Sequence, residues 1–121
     1  MDQNTTYEEY SQEVKHGVLT KAGNCPVTPL FLMLQGECKL QVIYELCIKD
    51  RLRLGDLRKY IQGVPNTTLT ASLQELERDG LVSRLQVNEI SPHVEYALTE
   101  KGKALLPLFF EMTKWGLRYT P

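Results

Sequence analysis

No charge of one sign dominates this chain. Its 121 residues carry 14 Lys and Arg against 15 Asp and Glu, a net charge of -1, so bulk electrostatics do not mark a binder of polyanions. Cysteine is scarce. Cys25, Cys38 and Cys47 form an odd set without CxxC spacing, which argues against a disulfide framework, and the two histidines do not complete a zinc site. No apolar run approaches the ~18 residues of a membrane span and no charged-then-apolar leader opens the chain. A membrane is therefore not an expected partner, and the cytoplasm is the expected compartment. There is no nucleophile elbow, no glycine loop to cradle phosphate and no histidine beside a plausible nucleophile, so no catalytic residues, metal or cofactor are expected. Internal repeats and low-complexity tracts are absent as well.

What remains is one domain's length with one core. Acids outnumber bases five to two over residues 1–37, and beyond them the two signs mix. Tyr7, Tyr10, Val14 and Val18 fall at helical spacing in an N-terminal arm, 1–24. Pro26 and Pro29 bracket a loop into a short helix, Leu30–Leu34, which stops at Gly36. Leu40, Ile43, Leu46 and Cys47 form one stripe of a buried helix over 39–49, and 50–53 reads as a polar link. Leu54, Leu57 and Ile61 mark a short helix closed by Gly63 and Pro65, with Val64 as an apolar plug. Asn66 is placed to cap the next helix, whose stripe of Leu69, Leu73 and Leu76 runs to Gly80. Leu81, Ser83, Leu85 and Val87 alternate along one strand, and Val94, Tyr96 and Leu98 along the next. Thr99 should cap a last helix that bends at Pro107 and reaches about Trp115.

Helix, tight turn, helix and two-stranded hairpin is the order of a helix-turn-helix with a wing. With three leucines facing inward, about 100° per residue puts Thr67, Ala71, Gln74 and Arg78 outward, flanked by Thr68, Thr70 and Glu75. Small hydroxyl and methyl groups at a helix start approach bases and phosphates closely, and Gln74 suits a bidentate contact with adenine. Arg78 reaches a phosphate backbone or pairs with Glu75. A solvated polar face is the plain alternative. Arg84 and His93 on the hairpin and Arg58 and Lys59 on the first helix are candidate phosphate contacts, which position without selecting sequence.

The wording is specific too. Cys25-Pro26-Val27, the run Leu69 to Val82 and the segment Val94-Glu95-Tyr96-Ala97-Leu98-Thr99-Glu100-Lys101-Gly102 resemble the HxlR family of bacterial winged-helix transcriptional regulators, from about Cys25 to Gly116. The resemblance implies an α+β, mainly α, fold: a winged helix-turn-helix over 25–103 with a two-stranded wing. A C-terminal helix over 104–121 and the arm would supply dimerisation helices. The function it implies is a homodimeric regulator, a repressor on a palindromic operator, with Asn66, Thr67, Thr68, Thr70, Ala71, Gln74, Arg78, Arg58, Arg84 and His93 on duplex DNA.

The last helix is apolar on more than one face, and the cheapest burial is a second copy. Leu105, Leu108, Phe109, Met112 and Trp115 are the expected dimer interface. Cys25 matches a position where some family members sense oxidants or electrophiles. A loop cysteine before a helix start has the setting for a depressed pKa, although a small structural residue fits as well. Cys47 reads as core, and Cys38 as ambiguous, with an oxidative Cys25–Cys38 disulfide left open.

Two departures matter. Where the family has Gly-Gly-Lys-Trp-Lys, this chain reads Gln35-Gly36-Glu37-Cys38-Lys39, which is expected to loosen packing under the helix pair. A position often basic in the family is Thr68, which lowers the expected affinity. The alternatives are a winged-helix protein-interaction module, favoured by the near-neutral charge and by Glu75 and Glu77, and a regulator taking a small-molecule inducer at the dimer interface.

Overall fold

The computed structural model describes residues 1–17 and 25–121. Val18, counted on the arm's helical face, lies outside the described residues. The chain divides into two compact units, Met1–Leu34 and Gln35–Pro121.

In the first unit, α1 spans Tyr7–Lys15 and α2 spans Thr28–Leu34. The Thr6 hydroxyl accepts the Glu9 N–H at 3.2 Å and fixes the start of α1. No residue of α1 is buried, and Tyr7 and Val14 are exposed. Helix α2 begins two residues earlier than its apolar run, because Pro29 fits the first turn, where its missing N–H is not needed.

The second unit holds α3 (Lys39–Ile48), β1 (Leu52–Arg53), α4 (Leu54–Tyr60), α5 (Asn66–Arg78), β2 (Val82–Val87), β3 (His93–Leu98), α6 (Glu100–Lys103) and α7 (Leu106–Tyr119). Its core is built from Val42, Ile43 and Leu46 of α3, Leu57 of α4, Ile61, and Leu69, Leu73 and Leu76 of α5. Cys38 joins them fully buried, a small side chain filling the place just before α3. The inward stripe of α3 is thus shifted from the expected one. Leu40 faces outward and Cys47 is half-buried, because Val42 takes the inner position beside Ile43.

The expected polar link over 50–53 contains a strand. Leu52 is buried, and β1 pairs antiparallel with β3, Leu52 opposite Tyr96 and Arg53 opposite Glu95. The sheet therefore has three strands in the order β1-β3-β2. In the hairpin, Val82 pairs with Leu98, Arg84 with Tyr96 and Val87 with His93. Because cross-strand partners share a face, Ser83, Leu85 and Val87 lie on the opposite face from Val94, Tyr96 and Leu98. The two apolar alternations serve both faces of the sheet. Val82, Tyr96 and Leu98 are the buried set, and Ser83, Leu85 and Val87 are half-buried.

Two helix boundaries also differ from expectation. Pro65, in extended backbone, is the residue that caps α5, and its carbonyl accepts the Leu69 N–H at 3.0 Å. Asn66 is already inside the helix and makes no cap bond. The last helix is two helices, not one with a bend. Helix α6 ends at Lys103, and α7 restarts at Leu106 with Pro107 in its first turn, where no backbone donor is lost. The Thr99 cap is as expected, its hydroxyl accepting the Gly102 N–H at 3.1 Å. The same hydroxyl donates to the Gly80 carbonyl at 2.5 Å, and Lys101 Nζ donates to the Asp79 carbonyl at 2.7 Å. These bonds pin the start of α6 to the turn that ends α5.

Candidate nucleic-acid interface

Helix α4, a turn through Gly63 in the left-handed region (φ 80°), and α5 form the helix pair. Asp56 accepts the Arg53 N–H at 3.2 Å and sets the start of α4 directly after β1. On α5, the burial of Leu69, Ser72, Leu73 and Leu76 turns Thr67, Ala71, Gln74 and Arg78 outward, and all four are exposed together with Asn66. Thr68 and Thr70 are half-buried at the edges of that face. Arg58 and Lys59, in the last turn of α4, are exposed as well.

The pairing with Glu75, the alternative to a phosphate contact for Arg78, gives way to two other contacts. Arg78 Nε lies 3.8 Å from the Asp79 carboxylate and keeps most of its side chain in solvent. Glu75 instead meets Lys39 Nζ at 2.6 Å. A hydrogen bond and the charge of the Lys39 ammonium hold the Glu75 carboxyl below the usual carboxylate range, with Arg78 adding to the same direction. Lys39 is only 4% exposed. Sequence reasoning missed this pair, although a signal existed. Lys39 stands three, four and seven residues before Val42, Ile43 and Leu46, on the inner stripe itself.

The hairpin treats its two basic candidates differently. Arg84 projects from β2 and is exposed. His93 is the first residue of β3, not part of a free loop end. Its Nδ1 lies 2.9 Å from the Ser91 carbonyl, its Nε2 lies 3.6 Å from Glu95, and its side chain is largely covered. It is tied into the loop end of the hairpin, a poorer phosphate contact than expected.

Helix α7 has no buried residue. Leu105, Leu108 and Phe109 are half-buried, while Met112 and Trp115 are exposed beside Phe110 and Leu117. Together with the outward face of α3, α7 lines a groove of about 760 Å³ whose walls include Leu40, Tyr44, Tyr60, Phe109, Phe110 and Met112. Lys49 Nζ sits 3.8 Å over the ring of Tyr60 at one rim. Sequence reasoning placed Leu40 in the core and so missed the α3 half of this apolar surface.

In the first unit, Cys25 is exposed immediately before α2. The Thr28 hydroxyl, then the N–H groups of Val27 and Thr28, stabilise its thiolate and hold the thiol below its ordinary range. Cys47 moves the other way, its thiol pushed up by partial burial, although it is half-buried and not the core residue expected. Among the described residues no group of His, Cys, Asp and Glu is arranged to hold a metal ion. No described helix is long and apolar enough to cross a membrane.

Residues 33–121 match the HxlR-like helix-turn-helix family. The chain belongs to that family. Among its relatives, the HTH-type transcriptional regulator YdzF of Bacillus subtilis is 33% identical over 99 residues, covering 82% of this chain and 91% of YdzF. Among solved structures, the redox regulator HypR in its reduced form superposes with a TM-score of 0.70 at 33% identity, over 78% of this chain and 92% of HypR. Diamide-treated YodB from B. subtilis superposes with a TM-score of 0.67 at 29% identity, over 81% of this chain and 97% of YodB. HxlR proteins are DNA-binding transcriptional regulators and not enzymes, and this member is a winged helix-turn-helix transcriptional regulator.

Proposed function

We propose that this HxlR protein acts as a homodimeric repressor on a palindromic operator. The observation that carries the reading is the outer face of α5. Its apolar side is fully absorbed by the core, and the exposed remainder presents Thr67, Ala71, Gln74 and Arg78 with small hydroxyl and methyl groups at the N-terminal end. Gln74 reads adenine, while Arg84, Arg58 and Arg78 hold phosphates that flank it. Two α7 helices, with Leu105, Leu108, Phe109, Met112 and Trp115, pair the copies, and the arm adds to the contact. The half-sites then lie about 34 Å apart, or a multiple of it.

Cys25 supplies regulation in this reading. Its exposed thiol is already biased toward thiolate by α2, and HypR and YodB, both similar in fold, are a redox regulator and a protein studied after diamide treatment. Oxidation or alkylation at Cys25 shifts the dimer and changes the separation of the reader helices. Cys38 is buried and offers no thiol to solvent, so a modification of Cys25 alone is favoured over a Cys25–Cys38 disulfide.

The test is a fluorescence-polarisation titration against DNA from upstream of the protein's own coding sequence, at two salt concentrations, with and without diamide and glutathione, which supplies the second thiol for a mixed disulfide at Cys25. Selective, salt-sensitive binding is expected, with release on oxidation that Cys25→Ser abolishes. Equal, weak binding to random DNA would sink the operator reading, and an unchanged oxidant response in the Ser variant would sink the sensor.

A further inference from the structure

Helix α5 carries two acids, Glu75 and the exposed Glu77, and Glu75 is the one beside the face that would meet DNA. By helical spacing Glu75 lies about 40° beyond Ala71, at the edge of the outward face of Thr67, Ala71, Gln74 and Arg78 and half-buried on its α3 side. A bare carboxylate there would face the phosphates that this face is built to meet. The structure removes that conflict from behind. Lys39, the first residue of α3, is buried, and its ammonium reaches Glu75 at 2.6 Å. Among the described residues Glu75 is the acid that pairs with it.

The reach is made possible by Gly36. A side chain at that position would meet the Cγ and Cδ of Lys39 at 3.3 Å, and the backbone there takes φ 148°, which favours glycine. The chain turns tightly over the lysine stem, and the stem runs under the turn toward α5. Burying an ammonium is expensive unless an opposite charge meets it, so the pair is locked in place by the cost of parting it. Arg78, four residues C-terminal to Gln74, adds a second positive charge on the solvent side.

From this geometry we propose that Lys39 is the positioning residue of the reader helix, masking the charge of Glu75 and holding its carboxylate back toward α3, away from DNA. The proposal rests on the reading of α5 as the DNA-contacting helix. It also accounts for an acid that would otherwise count against that reading.

The experiment compares operator affinity of the full chain for wild type, Lys39→Met, Glu75→Gln and the double variant, with circular dichroism to report folding. Methionine keeps the stem and removes the charge. K39M is expected to bind operator about five-fold more weakly, the scale of one unscreened charge a few ångströms from a phosphate. The double variant should return to within about two-fold of wild type, because the carboxylate that Lys39 had masked is gone, while Glu77 is the same in every variant. A purely structural role shows instead in the circular dichroism: K39M then loses affinity only as far as it loses folding, whereas masking predicts the loss in a fully folded variant. Lys39→Gln is the second variant should K39M fail to fold, as its amide still donates to Glu75 while the compensating charge is gone. Selective wild-type binding with K39M unchanged, or with the double variant no better than K39M, overturns the masking role and leaves the operator reading intact. Absence of selective binding by wild type overturns both.

Discussion

Replacing Gly102 by alanine should destabilise the fold, although alanine is the better helix former. Gly102 lies in α6, where the chain passes directly beneath the end of α5. A Cβ built there would sit 2.2 Å from the Leu81 carbonyl oxygen, 3.2 Å from its carbon and 3.0 Å from Leu98 Cδ2. The first contact is about 1 Å inside van der Waals separation. It is also made with backbone, which cannot rotate away as a side chain can. The same oxygen accepts the Thr99 N–H at 3.1 Å, and the Thr99 hydroxyl ties Gly102 N to the Gly80 carbonyl. Relieving the clash therefore means lifting α6 and losing part of that set. Overpacking of this kind costs about 1–3 kcal/mol, and a weakened cap about 1 kcal/mol more. The gain in helix propensity returns at most about 1 kcal/mol. The balance is a loss of about 1–3 kcal/mol, or a Tm lower by about 4–12 °C for a chain of this length. Gly55 is the internal control. Nothing lies within 4 Å of a Cβ there, so Gly55→Ala should be neutral or stabilising by up to about 0.5 kcal/mol. Thermal and urea unfolding followed by circular dichroism would measure both. If Gly102→Ala proved as stable as Gly55→Ala, the argument that backbone contact dictates glycine in the Thr-Glu-Lys-Gly segment would be wrong.

Other outcomes follow from the same geometry. Gln74→Ala should lose about 1–3 kcal/mol of discrimination at one operator base pair with little change on random DNA, whereas Arg84→Ala should weaken both and lower the salt slope by about one; competition binding at several salt concentrations separates the two. Trp115 is 62% exposed in one copy, so Trp115→Ala should leave unfolding of the monomer within about 0.5 kcal/mol. It should raise the dimer dissociation constant at least about ten-fold in sedimentation equilibrium, and an unchanged dimer would exclude α7 as the contact. Because the reactive species at Cys25 is the thiolate and α2 lowers its pKa, iodoacetamide should alkylate it at lower pH than it alkylates a cysteine in an unfolded peptide. Thr28→Val should move that pH profile upward, and a profile that stays put would remove the Thr28 hydroxyl as the cause. The Glu75 carboxyl is held below its unfolded value, so its ion pair contributes fully above the ordinary carboxylate range of about 4.3 and is lost as pH falls through the lower folded value. Acid unfolding should accordingly be shallower in K39M/E75Q than in wild type.

The helix pair and the hairpin were legible because their signals are periodic and long. Leu69, Leu73 and Leu76 repeat over two turns, and all three are buried. Strand β1 was not legible because two residues hold no period, and only its partner β3 identifies it. Which face each hairpin alternation serves depends on register, which the pattern of either strand alone does not contain. Pro107 allowed a bend or a restart, and the turn at Ala104 and Leu105 decided for a restart. Among the interface residues, the outward set on α5 followed from its leucines. The fate of His93 did not, since it depends on Glu95 across one turn of the pleat and on the loop carbonyl of Ser91. Lys39 was hidden by its type, because a lysine on an apolar stripe reads as a surface residue until its partner on another helix is known.

The short β1 strand has a mechanical consequence. It adds the segment leading into α4 to the edge of the hairpin sheet, with Arg53 both opposite Glu95 on β3 and bonded to Asp56 of α4. The other end of the hairpin is riveted to the α5 turn through Thr99 and Lys101. Reader helix and wing are therefore clamped at two points and travel as one piece. In the proposed dimer, a change in the spacing of the two reader helices would then come from rotating one copy against the other, and a small angle at that contact would be magnified across the length of α5.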